Sequence, residues 1–371
     1  MSYVPPAHPA PWQEARSGNF AAAARHAAES ETPWGRDLAV EIPRQFDEDP
    51  PWNEVLGPVQ PRGGPNGLIL RGGQIVAEWG NTLQVDQTFS VAKSYLSILA
   101  GLAVDRGLIR DVHEPVARTP GFSDGDDGGF DGPHNGRITW HHLLQQTSEW
   151  EGTLWGKPDL IDRNRRVAGQ PGTARKGTHR DLVEPGGYWE YNDVRVNRLS
   201  LALLRLWRRP LPDVFRELVM DPIGASRDWQ WRGYRNSTVT IDGQAIESVA
   251  GGSHWGGGVF IHARDQARIG LMMQRGGVWG TTRILSEDWI ARCRVPCVLN
   301  PVYGYLWWLN TGRRRYPSAP ADSYYASGAG GNLTWIDPER DLVAVLRWTD
   351  PAAMDRFMAL AMAAAGTQGT P

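Results

Sequence analysis

Apolar positions repeat with two periods along this chain, and the strand-like ones cluster near its two ends. Residues 67–79 read as a hairpin: Leu68-Ile69-Leu70 and Ile75-Val76-Ala77 flank a Gly72-Gly73 turn. Near the other end, residues 304–310, 332–336 and 342–348 are aromatic and β-branched, the last two joined by Asp337-Pro338-Glu339-Arg340. Between these ends the period is helical. Val91, Ala92, Tyr95, Leu96, Ile98, Leu99, Leu102 and Ala103 mark one face, and Asp105-Arg106-Gly107 ends the run. Residues 20–28, 139–146, 195–207 and an Ala- and Met-rich closing stretch at 352–365 also read as helices. Gly and Asp dominate 119–135, which predicts a long loop, and 150–188 is rich in Gly, Pro and charge and is predicted to wrap the surface.

Strands at both ends with a helical and irregular middle predict an α/β (α+β) fold. One antiparallel sheet is built from the two ends, flanked by helices, with a mainly helical subdomain inserted. The organisation expected is an N-terminal extension at 1–60 and a main domain at 61–350. The sheet part comes from about 61–112 and 255–371, the insert is about 113–254, and a C-terminal helix in 351–371 packs on the sheet.

Composition narrows the functions. At 371 residues with net charge −2, nothing favours a nucleic-acid or anionic-membrane partner. No apolar run approaches the roughly 20 residues of a membrane span. Met1 to Trp12 has no apolar core of a secretory signal, so a cytoplasmic location is expected. Cys293 and Cys297 alone rarely make a zinc site, and no metal or cofactor is expected. The 18 tryptophans suit core packing, with some available to line an aromatic cleft.

Only three residues are lysine (Lys93, Lys157, Lys176), and one of them completes Ser90-Val91-Ala92-Lys93 at the start of the helical run. Residues three apart share a helix face, so the Lys93 amine can reach the Ser90 hydroxyl. Free N–H groups and the positive end of the helix dipole surround that hydroxyl and suit a developing oxyanion. An arginine could not serve as the base, whereas a lysine can. A capping serine with a solvated lysine one turn on is the competing reading. A serine–lysine pair also needs a proton shuttle and a second oxyanion donor. Tyr191, in Pro185-Gly186-Gly187-Tyr188-Trp189-Glu190-Tyr191-Asn192-Asp193, is the candidate shuttle. The glycine-rich Ala326-Ser327-Gly328-Ala329-Gly330-Gly331-Asn332 is the candidate donor segment. His254-Trp255, ahead of three glycines, is a candidate substrate contact or a packed pair.

In this order the segments resemble the serine β-lactamase / penicillin-binding-protein-like superfamily, in its class C branch with related esterases, D-aminopeptidases and 6-aminohexanoate-dimer hydrolases. The resemblance covers roughly residues 60–350. Ser90 to Lys93 matches the nucleophile motif. Residues 138–148 are similar to T-x-x-x-L-L-x-H-T-S-G, 185–191 to P-G-x-x-x-x-Y-S-N, and 257–270 to G-G-x-x-x-x-A-x-D-x-A-R-x-G. Tyr303-Gly304-Tyr305 and Trp335-Ile336-Asp337-Pro338 resemble the last strands. The resemblance implies Ser90 as acylated nucleophile, Lys93 as its base partner and Tyr191 as general acid/base. It also implies an oxyanion hole from the N–H groups of Ser90 and Ala329.

The departures shape the substrate expected. No Lys-Thr-Gly occurs; Ala326-Ser327-Gly328 stands in its place with no cation to grip a β-lactam carboxylate. Asp193 stands where the motif often has asparagine, and Gln146-Thr147-Ser148-Glu149 lacks the usual His and Gly. The 6-aminohexanoate-dimer hydrolase type shares the missing triplet lysine. The function expected is therefore a serine hydrolase of small esters or amides, with Asp193, His254, Trp255 and Gly328 as substrate-binding residues. A penicillin-recognising sensor or weak β-lactamase is the alternative. No G-x-S-x-G occurs, which disfavours an α/β-hydrolase, and no carboxylate pair supports a glycosidase.

Overall fold

The computed structural model describes residues 3–46, 48–125, 128–167 and 174–366. Its main sheet has six antiparallel strands, in the order Trp308–Leu309, Tyr324–Gly328, Asn332–Asp337, Leu342–Arg347, Asn66–Arg71, Gln74–Trp79. The N-terminal hairpin thus pairs with the C-terminal one, Asn66 opposite Arg347 and Arg71 opposite Leu342. The register sets Gly67 opposite both Trp79 and Leu346, so these three share a face and Val343 lies on the other. On the first face Trp79 meets Phe357 of the closing helix Met354–Gly366, which itself packs against helix Ala21–Glu29. On the second face lies helix Ala263–Gln274. A Cβ on its Gly270 would stand 2.8 Å from Val343, so a bare backbone is what lets this helix seat closely on the sheet.

The middle of the chain is less helical than its pattern suggests. A second, four-stranded sheet runs in the order Asp86–Gln87, Gly258–Ile261, Gln230–Ile241, Gln244–Val249. The stretch 304–310 forms only the two-residue strand Trp308–Leu309. Nor does 150–188 simply wrap the surface: Asp159, Asp162 and Arg163 are buried. The N-terminal lead also packs inward through Trp12, Phe20, Leu38 and Ile42.

Arg347 joins the two sheets. Fully buried, it donates to Asn332 Oδ1 at 2.7 Å, to Ile261 O at 2.8 Å and to Gln87 O at 3.0 Å. A buried guanidinium satisfied by three acceptors fixes the edge strand that leads to Ser90. Among the described residues no helix is long and apolar enough to cross a membrane.

Candidate active site

The strand Asp86–Gln87 delivers Ser90. Thr88 N donates to Val259 O at 2.8 Å, and the chain then turns at Phe89 with φ of 53°. A left-handed phenylalanine is costly and persists only where packing imposes it. Phe89 is completely buried, edge-on to Trp34 at 5.3 Å and to Trp348 at 6.2 Å. Ser90 then occupies the N-cap of helix Val91–Asp105, but its hydroxyl makes no capping bond. It accepts instead from Lys93 Nζ at 2.8 Å. Lys93 is 1% exposed, so the solvated-lysine reading does not hold.

Lys93 is held on three sides. Asp193 Oδ1 lies 2.7 Å from Nζ, and the Tyr191 ring centroid 4.7 Å away. A Cβ on Gly252 would stand 2.5 Å from both Lys93 Nζ and Asp193 Oδ2, so only bare backbone closes this side. Asn192 caps helix Asp193–Trp207 by accepting from Val194 N and Arg195 N, which puts Asp193 in the first turn. Gln146 Oε1 accepts from Asn192 N at 2.8 Å, and its amide donates to the Tyr303 hydroxyl at 3.0 Å. Gln146, which stands where the motif has histidine, therefore anchors the tyrosine loop.

In front of Ser90 is a cavity of about 240 Å³ walled by Tyr191, Trp308, Arg165, Arg315, residues 327–331 and Met354. Tyr191 stacks on Trp308 at 5.5 Å. Strand Tyr324–Gly328 forms one rim. A Cβ on Gly328 would fall 2.0 Å from Thr88 O and 3.1 Å from Ser90 N, so glycine brings the strand against the helix start and sets Ala329 beside the serine.

Behind Lys93 lies a buried charge cluster. Arg165 bridges Asp193 at 3.1 Å and Asp162 at 3.2 Å. His254 Nε2 is 2.6 Å from Glu48 Oε1, and its Nδ1 is 3.5 Å from Asp193 and 3.6 Å from Asp162. Burial disfavours the Asp193 carboxylate, but Lys93, Arg165 and His254 outweigh it and hold its pKa well below the usual range. Burial likewise pulls His254 down, yet Asp162 and Glu48 push it up to about 9. Glu48, Asp162 and His254 bring ligand-type atoms within 4.8 Å of one another. Lys176 Nζ already sits 2.7 Å from Glu48 and 3.4 Å from Asp162, supplying cationic charge to that cluster.

The fold thus sets Ser90, Tyr191, Gly328 and Ala329 on the wall of one cavity, with Lys93 buried behind the serine. Asp193, His254 and Trp255, read from the sequence as substrate contacts, are instead each 1% exposed and outside the cavity wall. His254 stacks on Trp255 at 4.3 Å, and Trp255 Nε1 donates to Glu48 Oε2 at 2.6 Å. Sequence reasoning missed Glu48, Asp162, Arg165, Gly252, Trp308 and Arg315. Glu48 sits in an Asp-Glu-Asp run and Arg165 in an arginine-rich one, patterns that read as solvated surface.

Comparisons with known proteins agree with this fold. A family model described as Beta-lactamase matches residues 68–367. A 6-aminohexanoate-dimer hydrolase from Paenarthrobacter ureafaciens is 25% identical over 313 residues, spanning 76% of this chain and 72% of that protein. The structure of EstCE1, a hydrolase with promiscuous acyltransferase activity, superposes with a TM-score of 0.57 at 16% identity, covering 92% of this chain and 98% of that one. Simvastatin synthase (LovD) from Aspergillus terreus also gives 0.57 at 16% identity, covering 82% and 94%. At such identities these two structures speak for the fold.

Proposed function

The chain belongs to the beta-lactamase family and is a serine hydrolase, and from that premise we propose that it cleaves small carboxylic esters or amides through an acyl-enzyme on Ser90. The observation that carries this reading is the 2.8 Å bond from buried Lys93 to a serine hydroxyl that caps nothing. Ser90 Oγ attacks the substrate carbonyl carbon, and its proton passes to the Lys93–Tyr191 pair. The oxyanion gathers at the N–H groups of Ser90 and Ala329, where the helix dipole favours negative charge. Collapse breaks the C–O or C–N bond, and Tyr191 returns the proton to the departing alkoxide or amine. Water, deprotonated by the same pair, then attacks the acyl carbon, releases the acid and restores Ser90.

Two features support esters and amides over β-lactams. The triplet Ala326-Ser327-Gly328 has no cation, and the curated relative is named for hydrolysis of an amide dimer. Hydrolysis of 4-nitrophenyl butyrate by the wild type and by Ser90→Ala tests the reading. Turnover in the wild type that vanishes in the variant supports it; full turnover in Ser90→Ala ends it. A long-lived Ser90 adduct in the intact mass, formed with penicillin and barely turned over, would identify the sensor alternative.

A further inference from the structure

A second cavity, of about 370 Å³, lies between the C-terminal end of helix Ala263–Gln274, helix Glu287–Cys293 and the first residue of strand Tyr324–Gly328. It shares no wall residue with the cavity in front of Ser90. Three arginines line it, Arg275, Arg283 and Arg294, against one carboxylate, Glu287. In a chain of net charge −2 this is a local excess of positive charge.

None of the three arginines makes an ion pair with a described residue; backbone carbonyls orient them instead. Arg275 donates to Gly72 O at 3.4 Å, Arg283 to Gly276 O at 3.0 Å, and Arg294 to Asp322 O at 3.2 Å. A carbonyl positions a guanidinium without cancelling its charge, and most of the five N–H groups of each arginine stay free for a ligand. Arg275 and Arg294 are half-buried, and Arg275 Nε is buried with no acceptor among the described residues. Burial pulls the Arg275 pKa down, while Asp341 pushes it up from beyond ion-pair distance. Partly desolvated cations without counter-ions are costly, and an anionic ligand offsets that cost.

Three guanidiniums suit a phosphate group in particular, since it carries a charge near −2 and several acceptor oxygens. The volume falls within the range of about 300–1,000 Å³ typical of small-ligand sites, which leaves room for an organic body. The one aromatic ring on the wall, Tyr324, is 1% exposed and lies under the Arg294 guanidinium, 5.1 Å from its centroid. No free aromatic face is left for a nucleobase. Glu287 is exposed and makes no ion pair, so its carboxylate can accept from hydroxyl groups. We propose that this cavity binds a phosphorylated sugar, with Arg275, Arg283 and Arg294 on the phosphate and Glu287 on the hydroxyls. The site stands apart from Ser90 and holds whether or not that serine is acylated.

Calorimetric titration of the full chain with glucose 6-phosphate, glucose, inorganic phosphate and AMP tests the assignment. Glucose 6-phosphate should bind best and glucose should not bind, and added salt should weaken the binding. Arg283→Met and Arg294→Met should each weaken it by about tenfold or more. Arg283 is exposed, so its variant removes the charge without disturbing packing, which an unchanged thermal melt would verify. Glu287→Gln should weaken the sugar phosphate and not inorganic phosphate. Arg315→Met, in the wall of the Ser90 cavity, should leave binding unchanged. No binding of glucose 6-phosphate to the wild type at millimolar concentration overturns the site. So does an affinity unchanged in both Arg283→Met and Arg294→Met, or binding that is lost in Arg315→Met. Inorganic phosphate or AMP bound as tightly as the sugar phosphate would overturn the assignment of a sugar.

Discussion

Asp193 changes the charge of the serine–lysine site by one full unit relative to the asparagine of the related motif. Its carboxylate lies 2.7 Å from the Lys93 Nζ that donates to Ser90. The Tyr191 ring lies 4.7 Å from the same Nζ, which completes the pair through which the Ser90 proton passes in the proposed mechanism. Asp193→Asn removes that anion and keeps the side chain's shape. The acid limb of the kcat/KM profile should then move to lower pH, which rate measurements across pH would show. An unmoved limb would mean that Asp193 does not set the proton affinity of the pair. The same variant should be less stable, by about 3–5 kcal/mol for a broken buried ion pair, as read by denaturant unfolding. Tyr191→Phe should lower kcat by roughly 10²–10⁴-fold, the range typical of a lost general acid/base, while a purely packing role would leave kcat nearly unchanged.

At the scale of elements, the site is a seam between the start of a helix and the rim of a sheet, and glycine lets the two meet. In Gly328→Ala the new Cβ would stand 2.0 Å from Thr88 O, so either the strand Tyr324–Gly328 or the serine turn must shift. Activity should fall by about a hundredfold, since a displacement near 1 Å at a reacting centre costs about that much. A Gly328→Ala enzyme with wild-type kcat/KM would show that this rim takes no part. The helix of the seam was legible, like the hairpin at 67–79, because the signals are local: a continuous helical face after Ser90, and a Gly-Gly turn between apolar triplets; the rim strand Tyr324–Gly328 was read only as part of a glycine-rich segment. The second sheet was not legible. Strand Gln230–Ile241 carries Gly233, Arg235 and Asn236 inside it, and its pairing slips between Gly233 and Thr238, so the two-residue period breaks. The nucleophile, its lysine and the tyrosine could be read because they lie in short motifs. Asp162 and Arg165 could not, since their burial comes from partners far away in sequence.

Across the whole molecule, the charge cluster behind Lys93 ties together segments that the sequence presents as separate. Glu48 comes from the N-terminal lead, Asp162, Arg165, Lys176 and Asp193 from the middle, and His254 from the loop before strand Gly258–Ile261. The N-terminal lead is therefore bound into the support of the site. His254 faces Glu48, Asp162 and Asp193, with the cations Lys176 and Arg165 also beside it. With its pKa raised from 6.5 to about 9, the folded protein keeps between those values a proton that the unfolded chain releases. Its contribution to stability is full below about pH 6.5 and drains away as pH rises through about 9. Asp193 and Glu48, both held below the ordinary carboxylate range, act on the other side. Their contribution is present above the unfolded carboxylate pKa of about 4 and is lost as pH falls below it. Urea unfolding followed from pH 6.5 to 9.5 should show a declining midpoint in the wild type. In His254→Gln that slope should flatten and the stability at pH 6.5 should drop, because three carboxylates then share only Lys93, Arg165 and Lys176. A wild-type midpoint that stays level across this range would mean that His254 is neutral in the folded protein, and that the cluster holds its carboxylates by arginine and lysine alone.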